Sequence, residues 1–125
     1  MPDAAAKKIL LIDDDPKLSS TFGLALEMAG YKLVVAKDGD DGYKKAVSEH
    51  PDLIISDVMM PGTDGKALLK KIKENPDLKG ISVVILSALV AELEQKEFAK
   101  LGAKEYLEKP DVTPDMLVSV AKKYT

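Results

Sequence analysis

The stretch Lys8-Ile9-Leu10-Leu11-Ile12-Asp13-Asp14-Asp15 sets an unbroken apolar run directly against three acids. A short run of this kind, with no polar residue alternating through it, reads as a strand that has no wet face. Residues 8–13 form the first such strand. Residues 52–57 (Asp-Leu-Ile-Ile-Ser-Asp) and 81–86 (Ile-Ser-Val-Val-Ile-Leu) repeat the pattern, and 32–36 and 104–107 add two more runs. Strands apolar on both sides belong in a parallel sheet with helices over each face.

Between the runs the apolar spacing turns helical. Leu18, Phe22, Ala25, Leu26 and Ala29 share a face closed by Gly30, and Leu68, Leu69 and Ile72 share another that ends before Pro76. A third helix runs from about Val90 to Leu101, with Val90, Leu93, Phe98 and Leu101 on one side and Gly102 after it. Thr113 and Pro114 make a cap and first-turn pair for the last helix, which presents Met116, Leu117, Val120 and Ala121. Residues 40–49, with Tyr43, Ala46 and Val47, show a less regular helical pattern. Asp15, just before Pro16, is placed to cap the first helix, and His50, before Pro51, reads as a solvated loop residue. Five βα units in succession, joined by right-handed crossovers, predict an α/β fold with an open sheet and helices on both faces. Periodicity leaves the strand order open.

The chain has 125 residues, the size of one ordinary domain. Hydrophobic residues make up 46% and charged residues 31%, a globular balance. Eighteen Lys+Arg against 21 Asp+Glu leave a net charge of -3, so no basic footprint for direct nucleic-acid binding is present. The absence of cysteine excludes disulfides, thiolate metal sites and a Cys nucleophile. The apolar run behind the N-terminal tail is too short for a signal peptide or a membrane span, so neither export nor membrane insertion is expected. A cytoplasmic location is the expectation.

Ligands of open α/β sheets bind beyond the carboxyl ends of the strands. There the first strand ends in Asp13-Asp14-Asp15, the third in Asp57 and the fourth in Ser87, while Lys109-Pro110 follows the fifth. Singly, these residues are a turn, a cap hydroxyl and a surface lysine. Jointly they bring acids, one hydroxyl and one ammonium to a common edge. Crowded carboxylates repel unless a cation neutralises them, and Mg²⁺, which keeps waters and shares phosphate oxygens, suits this set. Lys109 would add positive charge where phosphoryl oxygens gather negative charge.

These residues closely resemble the receiver domains of bacterial response regulators, including the single-domain chemotaxis type. The resemblance covers about Lys8 to Lys123 and is carried by Ile9 to Asp15, by Asp57-Val58-Met59-Met60-Pro61-Gly62 with Asp64-Gly65, by Leu86-Ser87-Ala88, by Gly102-Ala103 and by Tyr106 to Pro110. It implies a single receiver domain over 1–125, with the flavodoxin-like strand order 2-1-3-4-5. It also implies that Asp57 accepts a phosphoryl group from a histidine kinase or histidine phosphotransfer protein. Asp13, Asp14, Asp57 and the backbone carbonyl of Met59 would hold Mg²⁺. Ser87 and Lys109 would contact the phosphoryl group, and Tyr106 would swing with Ser87 as the switch. A downstream protein would bind the face of the fourth helix, fifth strand and fifth helix. Such a chain is not a dedicated enzyme, although it catalyses its own phosphotransfer and slow dephosphorylation. Thr63 and Ser87 stand where a bulky apolar residue and Thr are commoner in the family.

Two other functions share this sheet. A Mg²⁺-dependent phosphatase also uses a strand-end Asp, but usually needs a second Asp two residues on, where Met59 stands. A flavin or nucleotide binder would want a Gly- or hydroxyl-rich phosphate loop after the first strand, where the three acids would repel phosphate. The signalling switch is therefore the first reading. With no segment for an effector domain, a stand-alone regulator or an excised receiver is expected.

Overall fold

In the computed structural model, which describes residues 7–57, 65–87 and 92–125, strands and helices alternate along the chain. The order is β1 (Lys8–Ile12), α1 (Pro16–Met28), β2 (Lys32–Ala36), α2 (Gly39–Glu49), β3 (Leu53–Asp57), α3 (Gly65–Glu74), β4 (Ser82–Ser87), α4 (Glu92–Lys100), β5 (Glu105–Glu108) and α5 (Pro114–Tyr124), with a short 3₁₀ turn, Lys109–Asp111, between β5 and α5. All strand pairs are parallel, and the sheet runs β2-β1-β3-β4-β5, the order that the resemblance implied. The α/β class and helices on both faces follow as expected.

Strand alternation divides the core in two. Leu10, Ile12, Ile54, Val83 and Ile85 pack with Ala46 of α2, Leu68, Leu69 and Ile72 of α3 and Phe98 of α4. Ile9, Leu11, Leu53, Ile55, Val84 and Leu86 pack on the other face with Phe22 and Leu26 of α1 and Leu117 and Ala121 of α5. The central strands β1, β3 and β4 are buried nearly throughout. The outer strands depart from the expectation of two dry faces: β2 is partly exposed, Val35 at 39%, and β5 is half-buried along its length. Each lies at an edge with a neighbour on one side only. The carbonyl of Ala36 accepts the N–H of Asp13, just past the end of β1, so the alternating carbonyl of Val35 faces outward, where the Lys45 ammonium donates to it at 2.6 Å.

Helix ends account for most remaining differences. α1 stops at Met28, and Gly30, at φ 101°, lets the N–H of Tyr31 reach the carbonyl of Leu26. Ala29 thus falls outside the helix and is exposed rather than in the core. Gly102, at φ 104°, ends α4 in the same way, with the N–H of Ala103 on the carbonyl of Phe98. The segment 40–49 is a full helix because Asp38 caps it, its carboxylate accepting the N–H of Asp41 at 2.7 Å. His50 is exposed but is more than a loop residue: it takes a left-handed conformation, φ 47°, and its N–H bonds Ala46 to close α2. Thr113 caps α5 through the N–H of Met116. Met116 itself is 47% exposed, because Leu117 and Ala121, one turn apart, take the buried stripe. Val90 lies outside the described residues.

Candidate functional site at the carboxyl edge of the sheet

Register brings the acids together. Ile12 on β1 stands opposite Ser56 on β3, so the residues that follow, Asp13 and Asp57, lie at one level at the carboxyl edge. Asp57 pairs with Leu86 and Ser87 with Glu108, so Ser87 and the lysine after Glu108 reach the same edge. All four residues were expected at this edge and all four reach it, with Asp13, Asp57 and Lys109 in mutual contact through the lysine. Asp13 is 4%, Asp57 7% and Ser87 1% exposed.

The Lys109 ammonium joins the two buried carboxylates. Its Nζ lies 3.0 Å from Asp57 Oδ2 and 3.1 Å from Asp13 Oδ2. Asp13 spends its other oxygen on the turn, accepting the N–H of Asp15 at 2.9 Å. The run Asp13 to Asp15 is therefore both turn and site. The first acid folds the loop that leads into α1, which begins at Pro16 immediately after Asp15.

Burial pushes the carboxyl of Asp13 above its ordinary pKa, and the Asp15 N–H and the Lys109 ammonium offset only part of this rise. For Lys109 burial is again the largest single influence and acts downward. The hydrogen bonds and charges of Asp57 and Asp13 together outweigh it, and its pKa stands above the ordinary value. A lysine between two carboxylates thus stays firmly charged.

Asp13, Asp14 and Asp57 each offer a carboxylate oxygen, and these lie within 4.8 Å of one another. Hard oxygens at that spacing fit Mg²⁺ or Mn²⁺, and Asp14, exposed, leaves the cluster open to solvent. Met59, expected to add its carbonyl, lies outside the described residues, as do Thr63 and Leu89.

Strand parity puts Ser87 on the side of Val83 and Ile85, the side on which Tyr106 also packs. Tyr106 is half-buried, pairs with Ile85 across the sheet, and its ring centroid is 5.6 Å from that of Phe98. Beside it a cavity of about 190 Å³ opens between α4 and β5, lined by Gln95, Ala99, Ala103, Lys104, Glu105 and Tyr106. Two residues went unnoticed in the sequence. Ser56, hidden in an apolar run, is buried, and its hydroxyl donates to the carbonyl of Asp57 at 2.9 Å. Lys66, one of several lysines in α3, reaches α4 and ion-pairs with Glu97. A polar residue inside an otherwise apolar run was the available signal for the first; the second had none.

Comparison with known proteins agrees with this geometry. A family model described as the response regulator receiver domain matches residues 9–122. Over 113 residues the chain is 38% identical to the DNA-binding dual master transcriptional regulator RpaA of Synechocystis sp., covering 90% of this chain and 47% of that protein. Among solved structures, the chemotaxis response regulator CheY4 of Vibrio cholerae superposes with a TM-score of 0.89 at 28% identity, covering 96% of this chain and 99% of that one. The Mn(2+)-bound form of response regulator Rcp1 superposes with a TM-score of 0.80 at 30% identity, covering 93% and 90%. The chain spans half or less of the length of the curated relatives it matches. Among the described residues no helix is long and apolar enough to cross a membrane. A family match that runs from the first strand into the last helix, over a sheet of this strand order, shows that the chain belongs to the response regulator receiver domains, the signalling switches of two-component systems.

Proposed function

We propose that Asp57 is the phosphoacceptor of a Mg²⁺-dependent switch, charged by a histidine kinase or histidine phosphotransfer protein and read by a downstream protein. The observation that carries this reading is the Asp57 carboxylate itself, nearly buried at the carboxyl edge, with Lys109 at 3.0 Å and the other two acids within 4.8 Å. A carboxylate oxygen of Asp57 attacks the phosphorus of a phosphohistidine. The P–N bond breaks, the imidazole leaves with the electron pair and takes up a proton, and an acyl phosphate remains. Asp13, Asp14 and Asp57, with the carbonyl of Met59, would hold Mg²⁺, which when bound supplies positive charge to the phosphoryl oxygens. Lys109 pairs with a phosphoryl oxygen from its place between Asp13 and Asp57, and the Ser87 hydroxyl donates to another.

The readout follows from the shared face of Ser87 and Tyr106. Drawing the hydroxyl toward the phosphoryl group frees space for the ring, which shifts a two-state equilibrium in the surface of α4, β5 and α5. The cavity beside Tyr106 supports that surface as the place where a protein target docks. The reaction is a stoichiometric modification rather than dedicated turnover, and we assign the chain to the cytoplasm, where the kinase's phosphohistidine is made. With a net charge of -3 it makes no direct contact with nucleic acid.

Incubation with acetyl phosphate and Mg²⁺, followed by intact mass measurement, tests the assignment. The parent gains one phosphoryl group and Asp57→Asn gains none. Undiminished incorporation in Asp57→Asn would overturn the assignment.

A further inference from the structure

Lys66 stands in the first turn of α3, on the far side of residues 58–64 from Asp57. Its ammonium forms an ion pair with Glu97 of α4, and the same nitrogen lies 5.8 Å from the centroid of the Phe98 ring. Phe98 is fully buried, and its ring meets that of Tyr106 at 5.6 Å with a 46° tilt. One side chain therefore connects α3, the next described element after Asp57, to two successive residues of α4, the second of which touches the aromatic of β5. Over the described residues the backbones of α3 and α4 pack far less closely than those of α2 and α3. The Lys66 bridge joins them at the surface, beside the core in which Leu68, Leu69 and Ile72 of α3 cluster with Phe98 of α4.

We propose that Lys66 is a positioning residue of the switch. Its bridge to Glu97 and Phe98 holds α4 where Phe98 meets Tyr106, and so opposes the movement of the Tyr106 ring on which the switch depends. The inference rests on the reading that phosphorylation of Asp57 is signalled through Tyr106. The bridge is made with Tyr106 packed against Phe98, and a contact made in one state of an equilibrium biases the protein toward that state. One partly exposed ion pair shifts such a ratio by about two- to fivefold. Lys66 would then set how far the unmodified protein leaks toward its active surface.

Amide NMR spectra of the full chain test this, taken with and without beryllofluoride and Mg²⁺. The set comprises the parent, Lys66→Gln, Glu97→Gln and the charge swap Lys66→Glu with Glu97→Lys. Without beryllofluoride, the Phe98 and Tyr106 signals of each single variant should move along the line toward the parent's beryllofluoride positions. The displacement should match a population ratio changed about two- to fivefold, and the swap should return the signals toward the parent. A merely structural role would move them off that line and would not be rescued by the swap. Single variants whose signals superpose on the parent's, or leave the line, overturn the bridge while leaving the switch intact. Parent signals at Tyr106 that ignore beryllofluoride overturn the switch reading itself, a separate result.

Discussion

The ammonium of Lys109 lies 3.0 Å from Asp57 Oδ2, a contact made across 52 residues of chain. It holds the turn after β5 against the end of β3 and offsets the repulsion between Asp57 and Asp13.

Lys109→Ala should therefore destabilise the metal-free protein at neutral pH, by up to about 3 kcal/mol, because two buried carboxylates lose their shared cation. Mg²⁺ should raise the Tm of this variant more than that of the parent, since it supplies the missing charge. The Lys109 contribution is complete below the ordinary pKa of 10.5 and is lost as pH rises through the raised value. Thermal melts with EDTA or Mg²⁺ check each point, and an unchanged metal-free Tm would sink the account.

The carboxyl of Asp13 behaves in the opposite sense. Its pKa is raised above 3.8 by burial, so ionising it opposes folding, and stability is lost as pH rises from 3.8 through the raised value. Asp13→Asn should raise the metal-free Tm by a few degrees at neutral pH while weakening Mg²⁺ binding. In the parent, Mg²⁺ affinity should fall as acidification passes through the raised Asp13 pKa, above the ordinary 3.8, because metal and proton compete for this carboxylate. Calorimetric titration across pH measures this; a pH-independent affinity contradicts it.

On the proposed phosphorylation of Asp57, the positions two residues beyond Asp57 and Ser87, which flank the phosphoryl group in this family, should set the lifetime of the modification. Met59 and Leu89 occupy these positions in the sequence, and apolar side chains there would offer an in-line water neither a hydrogen bond nor free access. Slow self-dephosphorylation is expected, and Met59→Asn with Leu89→Glu should lose phosphate severalfold faster. Decay is followed at one pH and Mg²⁺ concentration after the phosphodonor is removed. Equal decay rates would show that these positions do not set the lifetime.

His50 closes α2 at φ 47°, a conformation strained for a residue with a Cβ. His50→Gly should stabilise the fold by up to about 1 kcal/mol, and His50→Val should destabilise it by at least as much. Urea unfolding measures both, and the reverse order would refute the role assigned to this residue.

The strand ends were legible in the sequence because an apolar run that stops at an acid marks both the end of a strand and the edge where ligands bind. Asp13 and Asp57 followed from that rule, and Ser87 and Lys109 from asking which polar residues stand at or just after the ends of the fourth and fifth runs. Strand order did not, since right-handed crossovers allow several orders for the same pattern of elements; the family resemblance supplied it. Edge positions were also hidden. Val35 reads as apolar as Leu11, and only the register of β2 with a single neighbour explains its exposure. The contacts of Tyr106 with Phe98, and of Lys66 with Glu97, join residues from separate elements. No local period encodes such pairs, because they depend on how α3, α4 and β5 are laid against the sheet.

The lysine at the outer edge of β2 bears on how these molecules behave at high concentration. An edge strand with free carbonyls and an exposed valine is a template on which a second chain can add, the first step toward cross-β aggregates. Lys45 occupies the outward carbonyl of Val35, and Lys32 and Lys37 place further charge at either end of the strand. An incoming strand would have to displace from its acceptor an ammonium that Asp41 also holds, at 3.1 Å. Colloidal stability during refolding is thus guarded locally, at a strand remote from Tyr106 and its neighbours across the sheet.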